Sequence, residues 1–539
     1  MALLYIQFYF ITIATILGTG ILGLPVTLAH SGFLPFLFPF IGSYVMQCIL
    51  LLVFTELLQI AFFHKMQQQS SKSANGTTAG SNVRFEALPV IENEQPMAGT
   101  TSAEEQTDDS DAPTSDEFDF ESHLADNLDI PVVKPNLHMV GELFLNKVGA
   151  FCFDIVLAVS FVSVLISYAL AGSQAFADIL GVNRIAMIPI FCLVLTIVVV
   201  FLQFLVQPVI SLLTLIKGCM FATCVVITFL VGAKVDNQYK DDWGATGEPF
   251  LMGTVAIGGI INILPILFMR IKPRADQIRK LNLAVILGLT TCFVLNIMWC
   301  WTILKIVPQT PICPKPTYES TANPIVSASI PSVGDSGDSG TCDAISLESS
   351  HDKGDISTIP LSSVIEADHP QYSIVSIFVE FFIMVSITVS YLTFGSAMHH
   401  MISGMVESFW ENRGQLIAAK FGLQVSTNNE VQLLNFPAVS WIRSAMSILS
   451  FLAVFCVAMS HPQGFIKVLD RVTSLSQNLQ NCVFVPMMLY AVKTCEIYKN
   501  VQISFKLHSV FYVLYVFVAI FYGVAVLYDL FIWSQALLG

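Results

Sequence analysis

Gly18-Thr19-Gly20-Ile21-Leu22-Gly23-Leu24-Pro25 places three glycines and a proline inside an apolar run that extends over residues 5–29. An apolar run of about 20 residues is long enough to cross a bilayer as a helix. Glycine lowers helix stability, and proline removes a backbone donor. The run is therefore predicted to unwind part-way through the membrane. Bare backbone groups at that depth are tolerated only inside protein or beside a water-filled cavity, so the interruption points to a ligand site. The bland reading is close helix packing, for which membrane helices also use glycine. A second stretch, Ala256-Ile257-Gly258-Gly259-Ile260-Ile261-Asn262-Ile263-Leu264-Pro265, repeats the pattern five spans later. Two interruptions at corresponding places favour a binding site between them, formed by two five-helix repeats of opposite topology.

Scanning outward on span length gives about eleven transmembrane helices, near 5–29, 33–63, 148–171, 185–205, 213–233, 250–269, 281–306, 372–397, 437–459, 472–492 and 508–533. The fourth and fifth are separated only around Gln207–Pro208. The chain thus divides into helices one and two (1–63), an acidic loop (64–147), helices three to seven (148–306), a polar loop (307–371) and helices eight to eleven (372–539). Of the whole chain, 54% is hydrophobic and 12% charged, about half the charge of a typical soluble domain. The net charge of −14 comes from the two loops, since residues 64–147 hold fifteen acidic and five basic residues and residues 307–370 hold nine and two. The acidity therefore says little about the membrane part. Residues 66–130 are rich in Ser, Gln, Thr, Asp and Glu, and are expected to be a disordered tether or a docking segment for a cytosolic partner.

Basic residues in short loops set the orientation. Arg270, Lys272, Arg274, Arg279 and Lys280 follow helix six, and Lys493, Lys499 and Lys506 follow helix ten. Both loops are assigned to the cytosol, which puts the N-terminus and the acidic loop inside and loop 307–371 outside or in a lumen. Met1–Leu4 leads straight into apolar chain, so helix one is expected to act as its own insertion signal. Asn75-Gly76-Thr77 matches a glycosylation acceptor but falls on the cytosolic side. No basic face suits a nucleic acid. No paired CxxC or HExxH pattern supports a metal site. No nucleophile–base pair can be placed on neighbouring helices, so the chain is not expected to be an enzyme. Cys313 and Cys342 share the polar loop and form a disulfide candidate if that loop is extracytosolic.

The stretch Gly18–Pro25 resembles the opening G-x-G-I-L-x-L-P signature of the amino acid/auxin permease family, within the amino acid–polyamine–organocation superfamily. Ile263-Leu264-Pro265 followed by a basic loop resembles that family's sixth helix, and Ser460-His461-Pro462 with the chain from Gly464 to Pro486 resembles its ninth-to-tenth helix region. The resemblance covers the membrane part and neither polar loop. It implies an all-α integral membrane fold of the five-plus-five inverted-repeat (LeuT-like) type, with helices one and six unwound, and secondary active transport of an amino acid driven by H⁺ or Na⁺. The chain lacks the aromatic gate that family members often carry in helix six, and the loop between helices five and six has no cysteine to pair with Cys313 or Cys342.

The expected substrate site comprises Gly18, Thr19, Gly20, Ile21 and Gly23 on helix one, facing Ile257, Gly258, Gly259 and Asn262 on helix six. Its freed N–H groups would hold a carboxylate and its freed carbonyls an ammonium or a cation. A charge inside a bilayer costs about 2.5–3.5 kcal/mol or more and calls for a reason. Glu56 and Asp154 lie near the inner surface, whereas Glu380 is deeper and is a candidate for proton coupling or gating. The superfamily resemblance makes Ser390 and Thr393, one turn apart on helix eight, candidate sodium ligands; the rival reading is bonding to their own helix backbone. His399 and His400 are expected at the cytosolic mouth as surface residues, and His461 at the helix nine–ten turn in a packing role. The expected function is alternating-access transport of amino acids, with no cofactor beyond a coupling ion, at the plasma membrane or an endolysosomal membrane. The alternative is a non-transporting amino acid sensor or scaffold that signals through loop 66–130.

Overall fold

Apolar runs fold as helices in a bilayer because their backbone N–H and C=O groups find no other partners there. The computed structural model describes residues 2–76, 135–235, 237–311, 345–368, 370–420, 437–462, 468–499, 501 and 503–538, and among these it is helical throughout the membrane part with no strand. Ten helices among the described residues are long and apolar enough to cross a membrane. An eleventh, Val468–Thr494, is a continuous helical stretch that alternates between α and π turns. It is more polar than the others and corresponds to the tenth expected span. The chain is a multi-pass membrane protein.

Several boundaries differ from expectation. Helix two runs on from Leu34 to Gly76, so the stretch expected to start a loop at residue 64 begins as helix. A short helix, Leu137–Phe144, precedes helix three, with the Asn136 side chain accepting from the Met139 N–H at 2.8 Å as an N-cap. Loop 307–371 likewise contains two helices, Leu347–Lys353 and Thr358–Asp368. Helices four and five meet at Leu202 rather than at Gln207–Pro208. Helix eight continues to Lys420, well past the expected end at residue 397. The expected disorder of residues 77–130, Thr77 of the glycosylation tripeptide and the disulfide candidates Cys313 and Cys342 fall outside the described residues, whereas Asn75 and Gly76 end helix two.

The packing sorts the spans into two groups. Helices one, two, six and seven pack on one another, and helices three, four, eight and nine do the same. Helix five, Gln203–Gly232, touches both groups, lying against helix one, helix seven and helix eight. Helix one pairs with six, two with seven, three with eight and four with nine as counterparts in a five-plus-five repeat. Helix eleven, Val510–Leu538, stands outside that repeat and packs on helices ten and two.

Candidate functional site at the two helix breaks

Helix one is two helices, Ala2–Ile16 and Thr19–Ser31, separated by a turn at Leu17-Gly18. The interruption is narrower than the sequence suggests, because Gly20, Gly23 and Pro25 all lie inside the second helix. Proline cannot donate to the carbonyl four residues before it, which here is Ile21 O. Two side chains from elsewhere take up that carbonyl instead: Trp299 Nε1 on helix seven donates at 3.0 Å and Ser357 Oγ at 2.7 Å. The Ser357 N–H also donates to Leu22 O at 3.1 Å. The segment between the short helices Leu347–Lys353 and Thr358–Asp368 thus straps the second half of helix one. Nearby, Gln174 Nε2 donates to Asp355 Oδ1 at 3.0 Å, and Arg184 lies 3.9 Å from the same oxygen.

Helix six is interrupted as expected. Its outer half, Gly247–Gly258, gives way to a 3₁₀ turn over Gly259–Asn262, followed by a single short helix, Leu264–Phe268, with Pro265 in its first turn. The two breaks face each other. A Cβ built on Gly20 would lie 3.3 Å from Ala256 Cβ of helix six and 2.7 Å from Asn296 Oδ1 of helix seven. A Cβ on Gly258 would collide with the amide nitrogen of Gln477, from helix ten. The glycines are needed at these two places because a side chain from a neighbouring span occupies the space a Cβ would take. Gly18 faces Ser390 and Tyr168, and Gly259 faces the Phe394 ring. Tyr168 and Phe394 have ring centroids 5.8 Å apart. Aromatic side chains therefore stand over the breaks from helices three and eight.

The residues expected as sodium ligands are arranged otherwise. Lys217 is fully buried on helix five, and its ammonium donates to Ala14 O at 2.6 Å, Ser390 Oγ at 2.7 Å and Ser386 O at 3.0 Å. Those three bonds use all three hydrogens of an ammonium group. Ser390 Oγ in turn donates to Ala14 O at 3.2 Å. Thr393 Oγ1 bonds its own helix at Val389 O, 2.8 Å away. Where a metal cation was expected between helix one and helix eight, the protein supplies its own cation.

Asn296 donates to Cys292 O through Nδ2, and its Oδ1 has no hydrogen-bond partner. Gln477 Nε2 is likewise buried without a partner. Asn262 sits in the 3₁₀ turn and accepts from Gln480 Nε2 at 3.3 Å. Gln47 Nε2 approaches Gly258 O at 3.4 Å, while Gln47 Oε1 accepts from Tyr522 at 2.8 Å. Thr19 and Gly20 open the outer half of helix one, whose N-terminus carries no side-chain cap. Ile21 follows directly and Gly23 lies about one turn further on, and Ile257 is the last residue before the helix-six glycine pair.

The other ionisable groups are each held locally. Glu380 is partly exposed on helix eight, one turn from Ser376, whose hydroxyl donates to Glu366 Oε1 of the strap helix Thr358–Asp368 at 3.1 Å. Glu56 accepts from Tyr512 at 2.7 Å, and Asp154 pairs with His138 Nδ1 at 2.9 Å. His399, expected at the surface, is buried and lies 2.8 Å from Ser447 Oγ. His461 is exposed. Lys217 and Asp529 were passed over in reading the sequence. Each is nonetheless the single charged residue of its helix, Gln203–Gly232 and Val510–Leu538, and that isolation was the available signal.

No family model matches this sequence, and no curated protein matches it. Among solved structures, the chain is similar to a manganese transporter of Eremococcus coleocola bound to an aromatic bis-isothiourea compound, with TM-score 0.50, 10% identity, and coverage of 98% of this chain and 85% of that one. A variant of the same transporter aligns with TM-score 0.47 and 10% identity over 97% of this chain and 86% of that one. At 10% identity the likeness is one of fold. Taken with the two facing breaks and the paired packing of spans one to four with six to nine, it makes this chain an all-α membrane protein of the LeuT-like, five-plus-five inverted-repeat class.

Proposed function

We propose that this protein is a secondary active transporter that carries an amino acid by alternating access, coupled to protons. The observation that carries the reading is the set of helix ends at the breaks. The outer half of helix one begins there with an uncapped N-terminus, which is the positive end of its dipole. The outer half of helix six ends there at Gly258, which is the negative end. The negative end of the inner half of helix one is already engaged, because Lys217 sits on Ala14 O. Of the ends that remain, the N-terminus at Thr19 and the C-terminal end at Gly258 face each other across Gly20 and Ala256. That pairing suits a zwitterion: a carboxylate on the N–H groups of Thr19 to Ile21 and Gln477 Nε2, and an ammonium on Asn296 Oδ1 and the carbonyls before Gly258.

A metal cargo fits this chain less well. Gly18, Thr19, Gly20, Ile257, Gly258, Gly259 and Asn262 bring no carboxylate, thiol or imidazole, the ligands that transition metals prefer. Sodium coupling at Ser390 and Thr393 is also disfavoured, since Lys217 occupies the Ser390 oxygen with a covalently tethered cation. The resemblance of Gly18–Pro25 to the amino acid/auxin permease signature supports the choice of an amino acid.

The test is uptake of labelled amino acids into proteoliposomes, with pH and sodium gradients imposed separately. At least one amino acid is expected to accumulate under an inward proton gradient and to ignore the sodium gradient. No flux across a broad panel under either gradient would defeat the proposal.

A further inference from the structure

A second polar centre lies away from the breaks, where helix eleven meets helix ten. Asp529 is the single charged residue of helix eleven and is 1% exposed. Its Oδ2 accepts from Ser474 Oγ at 3.0 Å and from Asn478 Nδ2 at 3.4 Å, both fully buried on helix ten. Asn478 Nδ2 also donates to Ser474 Oγ at 3.0 Å, so amide, hydroxyl and carboxyl form a closed ring. Among the described residues no lysine, arginine or histidine pairs with Asp529. The titratable groups on the elements packed around it include Arg471, Cys482, Tyr490 and Lys493 on helix ten, Glu248 at the start of helix six, Tyr44, Cys48, Glu56, His64 and Lys65 on helix two, and Tyr512, Tyr515, Tyr522 and Tyr528 on its own helix. None of them bonds to it: Tyr522 is turned to Gln47, Tyr515 to Asn481 O and Tyr512 to Glu56.

We propose that Asp529 is a proton-binding site of this protein, held by Ser474 and Asn478 and joined to the helix-six break by the amide face of helix ten. A carboxylate buried without a basic partner is neutralised by a bound proton or cation. The ring selects the proton. Ser474 Oγ spends its hydrogen on Asp529 and accepts from Asn478, while Asn478 presents its donor end. That leaves Asp529 Oδ1 as the carboxyl oxygen without a protein partner. A single free oxygen suffices for a proton, whereas a hard metal ion needs about six oxygen ligands.

The amide face gives the second observation. Gln477 Nε2, Asn478 Oδ1, Gln480 Oε1 and Asn481 Nδ2 are all buried and without partners. Leaving a buried polar atom unbonded costs about 1–3 kcal/mol, so four within five residues call for water or a passing ion. Gln480 begins a π-helical turn through Phe484, a distortion found often at functional sites. The face leads directly to the helix-six break, through Gln477 at Gly258 and Gln480 at Asn262. The site deepens the transport reading by supplying a coupling group, yet its binding of a proton stands without any cargo.

The experiment is infrared difference spectroscopy on the full chain in lipid nanodiscs, perfused from acid to alkaline pH, comparing wild type with Asp529→Asn. The wild type is expected to show a protonated-carboxyl band that disappears at alkaline pH and is missing from Asp529→Asn. Ser474→Ala removes one donor from the ionised form and should raise the midpoint of that band by about one pH unit or more. Absence of the Asp529 band across the whole range would overturn the site, as would a midpoint that shifts with sodium concentration. Loss of amino acid flux in the wild type would sink the transport reading and leave the band untouched, so the two failures are distinguishable.

Discussion

The two helix breaks look alike in sequence, each a cluster of glycines with a following proline, but the protein holds them by different chemistry. At the helix-one break a charge does the holding. Lys217 joins the backbone at Ala14 to Ser386 and Ser390 of helix eight, and Trp299 and Ser357 close over Ile21 from the outer side. At the helix-six break the neighbours are neutral amides, Gln47, Gln477 and Gln480, and several of their polar atoms have no partner. A buried charge with every bond satisfied resists rearrangement, because any movement strands it. Amides with open valences exchange partners at little cost. In the proposed transport cycle, the helix-one break would serve as the fixed point and the helix-six break as the part that re-pairs with solute, water or proton.

The most severe way to break that contrast is to remove the lysine. Lys217→Met keeps most of the side-chain length but leaves Ala14 O, Ser386 O and Ser390 Oγ without their donor. Unsatisfied buried groups cost about 1–3 kcal/mol each, so a total above about 3 kcal/mol is expected. Thermal unfolding of the purified variant measures it, and amino acid uptake should fall with it. A Lys217→Met protein that melts and transports like wild type would show that the ammonium holds nothing.

A smaller effect is expected at helix six. Gly258→Ala drives a methyl group into the Gln477 amide. Overpacking of this kind costs about 1–3 kcal/mol. Because the obstacle is the end of a flexible, partly unbonded side chain, adding Gln477→Ala in the same protein should restore most of the loss. A double-mutant cycle on unfolding stability gives the coupling directly. Additive costs would mean that Gly258 is constrained by its backbone and that the amides of helix ten are bystanders.

Much of this contrast was legible in the residues and part was hidden, for identifiable reasons. Span length and apolarity located the helices, because a bilayer allows the backbone little choice. The breaks were visible because Gly and Pro act locally. The width of the helix-one break was overestimated, since whether Pro25 unwinds a helix depends on what receives the Ile21 carbonyl, and Trp299 and Ser357 lie 278 and 336 residues away. Asn296 and Gln477 escaped notice for the same reason: a lone amide in a helix gains meaning only from what it faces. Lys217 and Asp529 could have been found, being single charges in otherwise apolar helices, but each needed its partners to have a role assigned. Tyr168 and Phe394 were missed because aromatic residues were sought on helix six, whereas the rings that stand at the breaks come from helices three and eight.

The mildest test separates the two residues first paired as cation ligands. Ser390 lies at the charged break and is bonded by Lys217, whereas Thr393 bonds only its own helix at Val389 O. A threonine that bonds back to its own turn contributes little, and valine has nearly the same shape. Thr393→Val is therefore expected to change unfolding stability by no more than about 0.5 kcal/mol and to leave uptake indifferent to sodium. Ser390→Ala should cost more, near 1 kcal/mol, because it removes one of the three acceptors of a buried ammonium. If instead Thr393→Val weakened uptake and the loss were reversed by raising sodium, the hydroxyl would have to be a metal ligand. Lys217 would then have to leave Ser390 during the cycle, and the helix-one break would be as mobile as the helix-six break.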